Sequence, residues 1–514
     1  MAAGPTSVER ITDVGAQLEN DRYRWWGMFA TVMVFTLAVG GIAYVTSPRP
    51  FSVAFVVLVL AALACSLRPR IGVYTIVALT LIGDTGTTPW WPFTKNLSSR
   101  ESILYLTDSV SVNPLEILLA VTTVSWLLQR LVDPTWRFRR GGLFVPLMVF
   151  SGFVLLGFFK GRFLSGGDTR VALFEVRPLL YLPIVYILIT NLVITRRQYK
   201  LLLMLAFSAV AIQSIFALLY YRGLSDEQRE VLESLSEHSA TVHMNALFVF
   251  LLGLLLFKCR KELRWFVALL VPPVLWAYLL SQRRAAMIAL FVGVTVLAAV
   301  LFCRRRRMFW FFTPTAVVLT LGYLAATWNA RGALGLPAMA VKTVLFPEQL
   351  GTAERSSDLY RTIESYDLWF TIRQNPVLGV GFGQKFLRPI ALPDISFFEF
   401  WEFIPHNSFL WIWLKTGFLG FVAMLFLFGR AVQLGARSAL TVRSPEHVAI
   451  GLAGLTYVIM FLVFVYVDIA WEVRSTVFLA LALALCADFE PALHDRRVPT
   501  DVRLHTRQLE TVQL

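Results

Sequence analysis

Long apolar runs constrain this chain more than any other feature. Stretches such as GMFATVMVFTLAVGGIAYV and HVAIGLAGLTYVIMFLVFVYV each approach the ~20 residues a helix needs to cross a bilayer. Of the 514 residues, 57% are hydrophobic and only 16% are charged, against about 25% charge in a soluble globular chain. The fold class is therefore an all-α polytopic membrane protein. A formal charge of +14 would suggest a nucleic-acid partner in a soluble protein. Here the arginines pile up between apolar runs as cytoplasmic anchors, so no nucleic acid is expected.

The pattern predicts about fourteen transmembrane helices (roughly 12–14), near 25–46, 51–67, 71–85, 112–131, 142–159, 177–194, 199–220, 243–258, 264–280, 283–302, 309–326, 408–429, 446–467 and 471–487. With the N-terminus inside, the cytoplasmic connections read SLRPR, QRLVDPTWRFRR, TRRQYK, KCRKELR, CRRRRM and GRAVQLGARSALTVR. Each is short and basic, as the positive-inside rule requires. The opposite face receives the acidic SDEQREVLESLSEHSA. The organisation expected is a cytoplasmic tail over 1–24, helices over 25–326, a large external loop over 327–407, helices over 408–487 and a second cytoplasmic tail over 488–514. Residues 1–24 show no signal-peptide cleavage pattern. Cys65, Cys259, Cys303 and Cys486 all fall at cytoplasmic helix ends, which predicts free thiols. No internal repeat, P-loop or Cys/His metal signature occurs, and neither a cofactor nor a metal is expected.

The external loop, at about 80 residues, exceeds an ordinary connection and is a functional candidate. Within it DLYRTIESYDLWFTIRQ reads as an amphipathic helix stopped by NPVLGVGFG, and ALPDISFFEFWEFIPH reads as an aromatic lip on the membrane. Arg283 and Arg284, in LLSQRRAAMIAL, break the charge rule by sitting at an external helix mouth. They mark a functional cavity or snorkel to lipid phosphates. Glu175 and Arg177, in ALFEVRPLLYL, form a local ion pair or a second functional group. Arg177, Arg283, Arg284, Arg361 and His406 thus share the external face. Guanidiniums bind phosphate bidentately and offset charge growing on a leaving diphosphate, while a neutral imidazole takes a proton from an attacking hydroxyl. Asn407 either orients that ring or caps the following helix. Such a constellation suggests a polyprenyl-diphosphate lipid and a sugar hydroxyl. Nearby Trp and Phe residues would stack on sugars or form an interfacial aromatic belt. The glycines of GVGFG read as a tight turn whose amides could bind phosphate. His238 and His243 have no comparable company and are set aside.

HNSFLWIWLKTGFLG resembles the His-Asn-x-x-Leu…Gly-x-x-Gly signature of the bacterial O-antigen ligase and O-antigen polymerase superfamily. NPVLGVGFG is similar to the Asn-Pro-x-x-Gly-x-Gly-x-Gly element preceding it. Arg361 lies fourteen residues before Asn375, as the family arginine does, and SQRRAAMIAL is similar to its Ser-Arg-(Gly/Ala) helix start. Lys415, where the family often has Glu, and Arg283, in place of the usual Ser, are departures. The resemblance implies a GT-C-like glycosyltransferase of the bacterial inner membrane. It would transfer a glycan, without a metal and with inversion, from an undecaprenyl-diphosphate-linked oligosaccharide onto a glycan or lipid-core acceptor, beside membrane lipids and other polysaccharide-assembly proteins. His406 would be the base, and Arg284 and Arg361 the diphosphate ligands. Arg283, Arg177, Asn407 and Glu175 would support them. Ligase and polymerase share these motifs, with a slight lean to polymer building. A transporter or flippase for an anionic lipid is the rival class, although no matching halves of broken helices are seen. A non-catalytic scaffold is the third reading.

Overall fold

The computed structural model describes residues 49–84, 86–88, 112–132, 138–232, 234–330, 332–393 and 399–489, with isolated positions 30, 34, 38, 41, 91 and 93. Within them the regular structure is helical throughout. The helices are α1 (Arg49–Leu67), α2 (Pro69–Ile82), α3 (Pro114–Val132), α4 (Phe144–Phe159, ending in a π-turn), α5 (Thr169–Leu192), α6 (Arg196–Gly223), α7 (Asp226–Val231) and α8 (Ala240–Leu256). They continue with α9 (Lys261–Leu280), α10 (Arg284–Arg304), α11 (Arg306–Thr327), α12 (Gly332–Leu345), α13 (Thr352–Gln374), α14 (Ser408–Thr441), α15 (Pro445–Val467) and α16 (Val473–Ala487). Eight helices among the described residues are long and apolar enough to cross a membrane. The chain is a multi-pass helical membrane protein. The expected span 25–46 is described only at Ala30, Val34, Ala38 and Gly41, all helical, and both terminal tails fall outside the described residues apart from Asp488 and Phe489.

Three boundaries differ from expectation, each for a local reason. Helix α5 starts at Thr169 rather than near 177, because the Asp168 carboxylate caps it by accepting from the Val171 amide at 2.9 Å. Glu175 and Arg177 therefore lie inside the helix and not at its mouth. Helix α14 runs on to Thr441 through the segment expected as a basic loop, since no proline stops it before Pro445. The region 327–407 supplies two helices, α12 and α13, where one was expected.

The basic connections gather at one end of the bundle. There Arg70 donates to the Leu192 carbonyl (3.0 Å), Arg304 to Ala439 (2.8 Å) and Arg305 to Leu256 (3.2 Å), while Lys200 pairs with Glu446 at 2.5 Å. The four cysteines sit toward this end as free thiols. The core is densest around α16, where every residue from Arg474 to Ala487 is buried.

Three central helices are short. α2, α8 and α16 have 14, 17 and 15 residues, or about 21–26 Å at 1.5 Å per residue, against a hydrocarbon core of about 30 Å. All three are flush with the basic end. Arg70 at the start of α2 meets the end of α5, Arg305 meets the end of α8, and Asp488 beyond α16 accepts from the Gly142 amide at the start of α4. They consequently stop short at the other end, and their lengths imply a recess there, with the paired side chains His238–Asp468 and Arg474–Asp84–Glu237 at its base.

Candidate active site

The recess is walled by a scaffold built from the glycine-rich segment. Gly379, Gly381 and Gly383 all have left-handed φ (65°, 90° and 77°), a conformation glycine adopts without steric cost. A Cβ on Gly381 would lie 2.4 Å from Gly161 in the π-turn, so this strip is wedged against α4. Its amides are spent inside the protein. Gly379 donates to Asn375 O, Val380 to Leu414 O, Phe382 to Gly157 O and Gly383 to the Glu175 carboxylate (2.9, 2.7, 3.2 and 2.6 Å). They form a structural wedge, with those four amides unavailable to a phosphate. Glu175 also accepts from Trp411 Nε1 (3.1 Å) and pairs at 2.8 Å with Lys415, both side chains being fully buried. Lys415 in turn donates to the Gln384 carbonyl at 2.6 Å. Glu175 is thus a strut joining α5, α14 and the wedge. It does not pair with Arg177, because residues two apart on a helix do not face each other. Arg177 points to Glu116 on α3, at 3.4 Å.

A polar stripe on α13 faces the recess. Asp358, Arg361, Glu364 and Asp367 follow at i, i+3 spacing, so each neighbours the next along a stripe that winds round the helix. Asp358 accepts a bidentate clamp from Arg284, at 3.0 Å to each oxygen, and Arg284 also donates to Thr343 at 2.8 Å. Glu364 holds His406 twice. It accepts from the His406 backbone amide at 2.9 Å and lies 3.2 Å from ring Nδ1. The edge-on Tyr360 ring, 5.6 Å away, supports the imidazole. With Nδ1 engaged, Nε2 is the nitrogen left for chemistry. Asn407 does not orient this ring. Its carboxamide accepts from the Leu410 amide at 3.1 Å and caps α14.

Arg361 is the loosest cation in the cluster. It comes no nearer than 3.9 Å to Asp358, and its Nε is buried with no hydrogen-bond partner among the described residues. Arg283 donates to Ser234 Oγ at 3.2 Å and stands 3.9 Å from Asp468. Asp468 also meets His238 Nδ1 at 2.7 Å. Burial opposes its charge, but His238 and then Arg283 and Arg361 outweigh that, holding the carboxyl well below the usual range. On the recess floor Arg474 bonds Asp84 (3.2 Å), the Gly83 carbonyl (2.6 Å) and Glu237.

The structure thus brings Arg283, Arg284, Arg361 and His406 to one recess, places Asn407 as a cap beside them, and gives Glu175 and Arg177 other partners. Sequence reasoning missed Asp358, Glu364 and Asp468, and it set His238 aside. The i, i+3 stripe in DLYRTIESYD was a readable signal for the first two. Nothing in the sequence pairs His238 with a residue so distant as Asp468. The described part of the aromatic lip packs against the rest of the chain. Phe400 packs on Phe174 (4.5 Å), Arg388 covers the Trp401 ring (4.3 Å), and Arg170 bonds Glu399 (2.7 Å). Among the described residues no three His, Cys, Asp or Glu side chains converge as a metal site.

Comparison with known proteins points the same way as this geometry. Residues 235–425 match a family model described as O-antigen ligase, a span that holds all three recess arginines, His406 and the glycine wedge. A segment of 76 residues, 14% of the chain, is 30% identical to an O-antigen ligase of Salmonella typhimurium. The match spans about a fifth (19%) of that relative's length. Over residues 235–425 this chain is similar to the O-antigen ligase family.

Proposed function

We propose that the protein transfers a glycan from an undecaprenyl-diphosphate carrier to an acceptor hydroxyl, at the outer face of the bacterial inner membrane. Arg361 carries this reading: a guanidinium whose buried Nε has no hydrogen-bond partner among the described residues, clustered with Arg283 and Arg284, is an anion site in waiting. An arginine fork matches phosphate oxygens in shape as well as charge. The donor's diphosphate lies against Arg361 and Arg283, and Arg284, fixed by Asp358, adds a positive charge to the same wall. As the bond from the anomeric carbon to the diphosphate breaks, the growing negative charge meets preorganised cations. His406, its Nδ1 held by Glu364, takes the acceptor proton at Nε2. One displacement at the anomeric carbon gives inversion, and no residue of this cluster needs a metal to act. The basic connections mark the opposite end as cytoplasmic, which turns the recess outward and leaves both termini inside.

The test is a surface-glycan profile from a deletion strain of the native host, complemented with wild type or with His406→Ala. Single repeats on the acceptor, restored to long chains only by wild type, identify a polymerase. Full-length chains accumulating on the lipid carrier identify a ligase. Rescue by His406→Ala equal to that of wild type would overturn the assignment of His406.

A further inference from the structure

The recess holds two histidine–carboxylate pairs, and the proposed reaction uses one of them. His238 repeats the arrangement of His406, with Nδ1 against a buried carboxylate and the ring partly accessible (36% of the side chain for His238, 20% for His406). Two routes connect the pairs. Arg361, which acts on Asp468, is one turn of α13 from Glu364, which holds His406. The Ser408 hydroxyl, two residues beyond His406, donates to the Asp468 carbonyl at 3.3 Å. Arg283 and Arg361 both act on Asp468.

His238 is also placed with unusual rigidity for a residue in a connection. On its N-terminal side the Glu237 amide donates to Asp84 at 3.0 Å and the Glu237 carboxylate binds Arg474. On its C-terminal side the Ser239 hydroxyl donates to Glu472 at 2.7 Å. Ser236 meets Ser281 at 3.3 Å, and Ser234 accepts from Arg283. A structural histidine would not need this many restraints on a short segment, whereas a group acting on a substrate does.

We infer that His238 is the proton donor to the departing diphosphate, complementary to His406 as base, with Asp468 as its positioning residue. This rests on the glycan-transfer reading above. The acceptor O–H proton passes to His406 Nε2, and the acceptor oxygen bonds to the anomeric carbon. The bond from that carbon to the diphosphate oxygen breaks, its electron pair staying on oxygen. His238 Nε2–H delivers its proton to that leaving diphosphate. Solvent then resets both rings. The net result is one proton moved from acceptor to diphosphate with no other reactant. The charged and titratable groups around His238 are Asp468, Arg283 and Arg361 toward the substrate side, and Glu237, Glu472, Asp84 and Arg474 on the floor.

The experiment uses full-length protein in nanodiscs, an undecaprenyl-diphosphate-linked oligosaccharide and its acceptor, with release of undecaprenyl diphosphate followed against pH. Wild type should give a bell-shaped profile, since the base must be neutral and the acid protonated. His238→Gln keeps a polar side chain beside Asp468. It should lower kcat by about 10²-fold, leave KM within about threefold, and remove the alkaline limb. His406→Ala should remove turnover. If His238→Gln keeps the wild-type profile and kcat while His406→Ala is dead, the inference about His238 fails and the glycan-transfer reading stands. If wild type releases no undecaprenyl diphosphate, that reading itself fails. Should His238→Gln be poorly folded, Asp468→Asn in its place must lower kcat and shift the alkaline limb, and an unchanged profile in it overturns the inference.

Discussion

Two polar clusters lie at the same end of this bundle and differ in how completely their atoms are satisfied. Around Glu175 and Lys415 the carboxylate has three donors and the ammonium two acceptors, and neither side chain is exposed. Around Arg361 and Asp468, Arg361 Nε and Asp468 Oδ2 are buried without hydrogen bonds among the described residues; His238 meets Asp468 at 2.7 Å, but the Arg361–Asp358 and Arg283–Asp468 pairs stand at 3.9 Å. Both clusters contain buried charge, so charge alone does not mark a site. What separates them is spare hydrogen-bonding capacity aimed into a recess. A buried polar group left unpaired is costly, so a fold that keeps one gains something when a ligand arrives.

The comparison breaks most visibly at Lys415. Lys415→Ala leaves Glu175 charged, buried and unpaired, which should cost about 3–5 kcal/mol and appear as loss of monodisperse protein or a collapsed melting temperature. The double change Glu175→Gln with Lys415→Met should recover most of it. Arg361→Ala, by contrast, removes a side chain with almost no internal bonds. Turnover should fall about 10²–10³-fold while the melting temperature stays put, and a large thermal shift would move Arg361 into the structural class. Glu364→Gln keeps a side chain near His406 but removes the charge from its Nδ1. A drop in kcat of about 10²-fold at nearly constant KM is expected, measured as release of polyprenyl diphosphate.

Asp468 gives the comparison a pH axis. Its folded pKa lies below its unfolded value of about 3.9, so the stabilisation it contributes is present above that pH. It is lost as pH falls through the lower folded value. Melting temperature against pH for wild type and Asp468→Asn should therefore diverge least in the acid range. The smallest effect is expected at Asn407, where Asn407→Ala removes a helix cap worth about 1 kcal/mol. A modest melting shift with intact pH dependence of turnover would keep Asn407 out of the chemistry.

Much of this site was legible in the chain before folding. Arg283 and Arg284 stood out because arginine is expensive at a mouth that needs no anchor, and His406 because an imidazole at the start of an apolar helix has no packing role. The reading went wrong where partners come from far away. Glu175 looked like a neighbour of Arg177, yet its partner is Lys415, 240 residues on. The GVGFG turn offered amides that could bind phosphate, yet Asn375, Leu414, Gly157 and Glu175 accept from those of Gly379, Val380, Phe382 and Gly383.

By itself the sequence determined that the chain folds as membrane helices, which of their ends collect arginine, and which segment holds the candidate residues. Those properties follow from local terms, namely the apolar length of a run and the charge of a connection. Only the tertiary structure decided which charged groups were satisfied and which were left open. That depends on atoms meeting within hydrogen-bond distance across residues hundreds apart, and on three short helices leaving a recess. Periodicity does not encode either one.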